Sequence, residues 1–157
     1  MNRVSRSALC GTITPELNGQ EVSLCGWVQR RRDHGGVIFI DLRDRSGIVQ
    51  VVMDPDRQAQ FAIAEAVRNE YVLCVSGRIR PRPEGTENPE LPTGAVEVLG
   101  HDIEILNASD PLPFQVDDDD TGEAVRLRYR YLDLRSSRMQ SNLRLRHQAT
   151  PNLRHFL

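Results

Sequence analysis

The chain contains no lysine, because all 20 basic residues among its 157 are arginine. The planar guanidinium of arginine suits phosphate groups and base edges better than the compact charge of lysine does. A genomic bias would produce the same composition, and it is the better explanation of the missing lysines. The distribution of the arginines along the chain is therefore more informative than their identity.

Long apolar runs and paired cysteines are also missing. No run approaches the length of a membrane span, and the first six residues open no apolar signal segment. We expect a cytoplasmic protein with no membrane partner. The three cysteines, Cys10, Cys25 and Cys74, have no metal-type spacing, and we expect them to be reduced thiols.

Motifs of self-contained enzymes are scarce. The sequence has no Walker-type glycine loop, no G-x-S-x-G elbow and no H-E-x-x-H pair. The four aspartates of residues 117–120 lack the spacing of an EF-hand. We therefore expect no catalytic residue, no metal site and no cofactor in this chain, and composition leaves open whether it is part of an enzyme.

Charge divides the chain into two different parts. The formal net charge of −2 argues against an indiscriminate polyanion binder. Residues 1–125 hold 12 arginines and 21 acids, about −9, whereas residues 126–157 hold 8 arginines and the single acid Asp133, about +7.

Apolar alternation predicts an all-β-dominated first domain over residues 1–106. The predicted strands are residues 21–30, 37–43, 48–53 and 71–80, with a bent fifth strand formed by residues 95–99 and 103–106. The alanine-rich residues 57–68 predict a helix between the third and fourth strands. This order is that of the OB-fold, a five-stranded Greek-key barrel. Residues 31–36 would form the loop between strands one and two, and residues 83–94 the loop between strands four and five.

The remainder is predicted to be a linker and a helical segment. Residues 107–122 carry two prolines and four consecutive aspartates, which favours an extended acidic linker. Residues 123–157 read as helical, with one helix over residues 123–134 and a second from Arg138 onward. Pro151 should break or kink that second helix.

Phe39 is the most informative candidate site residue. In the second strand Ile38, Ile40 and Leu42 share one face, which leaves Phe39 on the other, wet face. If the following hairpin closes on residues 44–47, Phe39 and Gln50 become diagonal neighbours. An aromatic ring beside an amide suits a base of single-stranded RNA. The alternative, that a loop or second domain covers the ring, stays open.

Arginines and polar residues surround that position. Alternation sends Arg30 and Arg32 one way at the end of the first strand and Arg31 the other. The fourth strand places three arginines on one face, where they could contact phosphates: Arg78, Arg80 and Arg82. Further polar candidates lie in or just after the second loop, although their spacing alone is a weak signal: Thr86, Asn88 and Glu97.

Three segments resemble a known family. Residues 24–57, 97–107 and 126–135 closely resemble the N-terminal part of bacterial aspartyl-tRNA synthetase. The core GWV-x-x-RRD-x-G-x-x-x-FIDLRD is shared with asparaginyl and, more loosely, lysyl enzymes. Its combination with Q-V-V-x-DP and RYLDLR is typical of the bacterial aspartyl type.

The resemblance implies an anticodon-binding role towards tRNA(Asp). It assigns Phe39 to stacking on the middle uracil, Gln50 and Arg32 to the edge of that base, and Glu97 to the first anticodon guanine. Contacts to the third base and the backbone are implied for six further residues: Arg30, Arg78, Arg80, Arg82, Thr86 and Asn88. His34 and Gly85 stand where strictly aspartate-specific enzymes tend to carry leucine and lysine, which resembles the nondiscriminating form that also charges tRNA(Asn).

The resemblance also concerns the whole enzyme. In that family a class II catalytic domain uses ATP and Mg²⁺, and the full-length protein is a homodimer. The 157 residues contain none of the ATP-binding motifs, so we expect them to bind tRNA without catalysing ligation. Two alternatives stay open: a stand-alone OB-fold module that binds RNA or single-stranded DNA, and an asparaginyl-type relative.

Overall fold

The computed structural model describes residues 5–118 and 120–156 and divides the chain into two compact units, Met1–Asp110 and Pro111–Leu157. The division lies inside the predicted linker of residues 107–122. The predicted first domain begins at residue 1 and the predicted helical segment ends at residue 157, and both positions lie outside the described residues. Among the described helices, none is both long enough and apolar enough to cross a membrane.

The first unit is a closed five-stranded barrel with the strand order β1-β2-β3-β5-β4. Two short 3-10 helices, Cys10–Thr12 and Pro15–Leu17, precede it. The barrel strands and the helix between the third and fourth of them are β1 (Glu21–His34), β2 (Val37–Asp44), β3 (Gly47–Met53), α1 (Gln58–Ala66), β4 (Val72–Pro81) and β5 (Val96–Asn107). The OB-fold expected from the sequence is confirmed.

Alternation places the core inside the barrel as expected. Ile38, Ile40 and Leu42 of β2 are fully buried, and so are Val49 and Val51 of β3. The apolar side chains of the other strands join the same cluster, together with Ala64 and Val67 at the end of α1. The opposite face of β2 is therefore free to carry polar and aromatic groups.

The first predicted loop is wrong. β1 continues to His34 and pairs with β2 along its whole second half, so that Arg31 and Arg32 are strand residues. The turn consists only of Gly35 and Gly36, whose φ angles of 63° and 78° lie in the left-handed region that glycine adopts freely. Two-residue turns of this kind match the twist of a hairpin.

The fifth strand also differs from its prediction in detail. Residues 96–107 form one strand rather than two segments. The β4–β5 register shifts within this strand, since Ser76 pairs with Asp102 but Gly77 pairs with Gly100. One extra residue in a strand bends it locally and leaves the ladder on either side intact.

The described residues of the second unit form three helices: α2 (Glu123–Arg128), α3 (Arg130–Asp133) and α4 (Ser137–Phe156). The predicted helix over residues 123–134 is interrupted at Tyr129. Pro151 does not break the second helix, because α4 continues past it to Phe156. The other predicted outcome, a kink at Pro151, stays a prediction. No described residue of α4 is buried, so a carbonyl that loses its partner at the proline can bond to water instead.

Candidate nucleic-acid interface

Phe39 lies on the outer face of β2 between two neighbouring strands. It pairs with Arg32 of β1 on one side and with Val52 of β3 on the other. The ring is half-buried, whereas Ile38 and Ile40 on either side of it are fully buried. The Arg32 guanidinium carbon lies 5.9 Å from the ring centroid, within the range of a cation–π contact. The predicted hairpin register, Asp41 opposite Gln50 and Phe39 opposite Val52, is confirmed.

A continuous set of hydrogen bonds runs across the strands beside this ring. Arg32 Nη2 donates to Asp41 Oδ1 at 3.0 Å and to Gln50 Oε1 at 3.1 Å. Gln50 Nε2 donates to Glu97 Oε2 at 2.8 Å, and Arg80 Nε donates to Glu97 Oε1 at 2.9 Å. We call these five residues, Asp41, Arg32, Gln50, Glu97 and Arg80, the polar chain.

Some side chains of the polar chain are buried, and others are partly exposed to solvent. Glu97 is 2% exposed and Gln50 is 6% exposed. The side chains of Arg32 and Arg80 are both 41% exposed. A buried carboxylate is tolerated only when it is paired and hydrogen-bonded, and both oxygens of Glu97 have such partners. Glu97 and Gln50 thus form the buried floor of a site whose more exposed part is aromatic and cationic.

Arg82, just after β4, is buried beside the same surface. Its Nε donates to the carbonyl of Val96 at 3.1 Å, and its Nη1 lies 3.5 Å from the carbonyl of Thr86. Burial lowers the pKa of Arg82, and the charge of Glu97 opposes that shift. Among the described residues, Arg82 Nη2 and Arg32 Nε are buried N–H groups without an acceptor. A hydrogen bond from such a donor to a ligand oxygen or ring nitrogen would therefore stabilise the complex.

The loop between β4 and β5 is held by its own hydrogen bonds. The Asn88 backbone N–H donates to the carbonyl of Gly94 at 3.0 Å, and the Thr86 hydroxyl donates to the carbonyl of Pro83 at 2.7 Å. The Thr93 hydroxyl donates to the carbonyl of Ile48 at 2.6 Å, which attaches the loop to β3. A Cβ atom at position 94 would lie 1.7 Å from the Asn88 carbonyl oxygen, so only glycine fits there.

The match to a known family rests on the barrel. Residues 22–106, more than half of the chain, match the family tRNA anti-codon, described as OB-fold nucleic acid binding domain. The chain belongs to this family. Its OB-fold domain therefore has the architecture in which an outward-facing strand pair and the adjoining loops bind oligonucleotides.

Solved structures similar to the chain include two aminoacyl-tRNA synthetases. The asparaginyl-tRNA synthetase of Pyrococcus horikoshii matches 98% of this chain with 25% identity and a TM-score of 0.83. The aspartyl-tRNA synthetase of Entamoeba histolytica matches 90% with 18% identity and a TM-score of 0.80, which supports the fold alone. The chain covers 35% of each of these two proteins. An OBody bound to hen egg-white lysozyme matches 67% of the chain with 25% identity and a TM-score of 0.58.

Four of the predicted site residues of this OB-fold domain are not joined to the polar chain through their side chains, although Arg30 pairs with Asp41 in the β1–β2 ladder. Arg30 is exposed on β1, and Arg78 has Nε 3.7 Å from the exposed Glu21 carboxylate. His34 ends β1, and Gly85 occupies an exposed turn with a φ of 79°. Within residues 5–118 and 120–156, no side chain of these four residues has a hydrogen bond or ion pair with a side chain of the polar chain.

Sequence reasoning did not assign a role to Asp41. Its carboxylate holds Arg32 in place at 3.0 Å, on the face of β2 that also carries Phe39. Alternation already placed Asp41 on that face, so the signal was available once Arg32 was assigned to the paired strand. Among the described residues, no group of three or more histidine, cysteine or acidic side chains is arranged to hold a metal ion.

Proposed function

We propose that the chain is the anticodon-binding part of a bacterial aspartyl-tRNA synthetase, with tRNA(Asp) as its partner. The supporting observation is the polar chain beside Phe39. A half-buried aromatic ring next to a buried amide and a buried carboxylate offers one unpaired base both a stacking surface and edge partners.

The arrangement suggests a role for each contact. Phe39 stacks on the middle uracil, while Gln50 and Arg32 bond to the edge of that base. Glu97 reads the first anticodon guanine, because a carboxylate oxygen that accepts one hydrogen bond can accept a second from a base amino group. Arg80 and Arg82 contribute positive charge towards the third base and the phosphates.

We further propose that the domain accepts tRNA(Asn) as well as tRNA(Asp). His34 and Gly85 are both exposed, and nothing lies within 4 Å of the place where a Cβ of residue 85 would be. Without a leucine and a lysine at these two positions, the third anticodon base meets fewer discriminating groups. This would correspond to the nondiscriminating form of the enzyme.

The catalytic reaction is proposed for the whole protein and not for these residues. The chain spans about a third of the length of the synthetases it matches. We propose that ATP and Mg²⁺ act in a catalytic part outside the 157 residues, in a cytoplasmic homodimer. The residues described above supply tRNA recognition to that reaction.

Binding of three RNA stem-loops at one fixed salt concentration tests the proposal. The loops carry the anticodon of tRNA(Asp), that of tRNA(Asn), and an unrelated anticodon without the middle uracil. We expect the first two to bind within a hundredfold of each other and the third to bind more weakly. A preference for the tRNA(Asp) loop above about a hundredfold, or 2.7 kcal/mol, would exclude the nondiscriminating form.

A second candidate is a free-standing OB-fold module for RNA or single-stranded DNA. The OBody match supports a domain that stands alone, since 67% of this chain covers 96% of that one. Equal affinity for all three stem-loops would support this candidate over anticodon recognition. Aminoacylation by the full-length protein with aspartate against asparagine separates the aspartyl type from an asparaginyl-type relative.

A further inference from the structure

Strand β1 changes register halfway along its length. Residues 21–27 pair regularly with β4, and Val28 pairs with Leu42 of β2. The next pair in β2 is Asp41 with Arg30, so that Gln29 is an extra residue in the ladder. An extra residue of this kind is a β-bulge, and it reverses which face every later side chain occupies.

The bulge decides which arginine reaches Phe39. Val28 is fully buried and points into the barrel. Unbroken alternation from Val28 would set Arg31 opposite Phe39 and turn Arg32 to the same side as Val28, with His34, Gly35 and Gly36 as the turn. The observed register instead pairs Arg32 with Phe39 and keeps a turn of Gly35 and Gly36. The hydrogen bonds from Arg32 to Asp41 and Gln50 depend on that choice.

Three residues hold the bulge from outside the RNA site. Gln29 Oε1 accepts a hydrogen bond from Arg43 Nη1. Arg43 Nη2 in turn donates to both carboxylate oxygens of Glu70, at 2.9 and 3.0 Å. The side chains of Arg43 and Glu70 are only 12% and 8% exposed. We call Gln29, Arg43 and Glu70 the register clamp.

The backbone of Glu70 binds the other side of the bulge. Its N–H donates to the carbonyl of Val28 at 2.7 Å, and the N–H of Val28 donates to the carbonyl of Tyr71 at 2.9 Å. Among the described residues, Glu70 is the one non-glycine with a positive φ, 64°. A conformation of this kind costs energy and persists only where surrounding contacts fix it. Glu70 thus contacts β1 before the bulge through its backbone and at the bulge through Arg43.

We propose that the register clamp is a positioning element of the RNA site, which selects the bulged register of β1 and so sets Arg32 opposite Phe39. The proposal rests on the proposed anticodon-binding function. None of the three clamp residues contacts the RNA itself. Their effect on recognition passes entirely through the placement of Arg32.

Deletion of Gln29 provides the decisive test. Without residue 29, the Val28–Leu42 and Arg30–Asp41 pairs become consecutive, and Arg32 faces Phe39 with no bulge and no clamp. We therefore expect Glu70→Gly to lower affinity for the tRNA(Asp) stem-loop by about tenfold or more, the size of one charged hydrogen bond. Deleting Gln29 in the Glu70→Gly background should restore most of that loss. A clamp that only stabilised the fold would predict the opposite, since the deletion removes a further clamp contact.

Two further variants distinguish a change of strand register from a simple loss of stability. The double variant Arg43→Gln/Glu70→Gln removes both buried charges together and leaves neither unpaired. It should show the same loss of affinity and the same rescue. Val75→Ala truncates a fully buried β4 residue that pairs with Leu24 and Ile103 and belongs to neither the clamp nor the polar chain. It should lower stability while affinity stays within about twofold of the wild type.

The register can also be measured without RNA. Cross-strand proton contacts in NMR spectra should join Arg32 to Phe39 in the wild type, and Arg31 to Phe39 in the clamp variants. If the wild-type domain binds no stem-loop, the proposed function fails, and the NMR contacts alone decide the clamp. Clamp variants that keep the Arg32–Phe39 contact and wild-type affinity would overturn the inference.

Discussion

Two polar clusters each include side chains of β1 and β2, and they differ in whether their hydrogen bonds are complete. In the register clamp, among the described residues, no buried side-chain nitrogen or oxygen lacks a partner. The polar chain and its neighbour Arg82 retain two buried N–H groups without acceptors, on Arg32 and Arg82. A completed cluster has no spare donor for a ligand and acts through the structure of the protein, whereas one with spare donors can also bind an acceptor from outside.

The largest expected effect separates the clamp from an ordinary surface ion pair. Arg43→Gln removes the guanidinium that donates to both oxygens of the buried Glu70 carboxylate and should lower the free energy of unfolding by about 3–5 kcal/mol. Arg78→Gln breaks an exposed pair with Glu21 and should cost less than about 1 kcal/mol. Urea denaturation of both variants measures the difference, and similar losses would contradict the distinction between the two pairs.

The next effect concerns the polar chain and should appear in binding rather than stability. Glu97→Gln removes the charge that Gln50 and Arg80 bind, and should weaken stem-loop binding by about 1.5–3 kcal/mol. The loss should fall mainly on loops with guanine at the first anticodon position. Titration with guanine and adenine loops measures it, and an unchanged preference would remove Glu97 from base readout.

Phe39 and Arg82 should contribute to RNA binding in different ways, Phe39 through base stacking and Arg82 through its charge. Phe39→Ala should lose about 1–3 kcal/mol of affinity, because the stacking surface disappears. Arg82→Ala should weaken binding to all loops with little change in sequence preference, and should reduce the salt dependence of binding. The two variants are compared on the same loops over a salt series. Equal losses on all sequences for both would contradict this division.

The smallest effect belongs to a third cluster, around Asp44 at the end of β2. Burial acts to raise the Asp44 pKa, but hydrogen bonds from Ser46 and from the Cys10 backbone N–H outweigh it and lower the pKa. The resulting stabilisation is present above the unfolded value of about 3.9 and is lost as pH falls through the folded pKa. Asp44→Asn should therefore cost about 1 kcal/mol at pH 7 and less in acid. Urea denaturation between pH 7 and 3 tests this, with the exposed Asp102→Asn as a control that follows the wild type.

Local patterns predicted the hairpin that carries Phe39. Alternation placed Ile38, Ile40 and Leu42 inside, and the four-residue turn set the β2–β3 register, because both depend on neighbouring residues alone. The end of β1 was mispredicted, since Arg31–His34 contain no apolar alternation. The signal for a hairpin was the Gly35–Gly36 pair, which suits a turn with two positive φ angles.

Contacts between distant segments could not be read from the pattern. The bulge at Gln29 depends on Glu70, which lies beyond α1 in the sequence. Glu97 reaches Gln50 only because β5 pairs with both β3 and β4, so spacing within the second loop gave a weak signal for it. The resemblance of the sequence to a known family, rather than periodicity, pointed to that carboxylate.

Closure of the barrel has a consequence for how the chain folds. Three parallel pairs, Val51–Val98, Val52–Leu99 and Met53–Gly100, join β3 to β5 across a long sequence separation. Local hairpins such as β2–β3 can form early, but the β3–β5 pairs can form only after these two distant strands have met. We therefore expect the barrel to close late in folding. A nascent chain that has not yet emerged from the ribosome past Gly100 should lack a stable barrel.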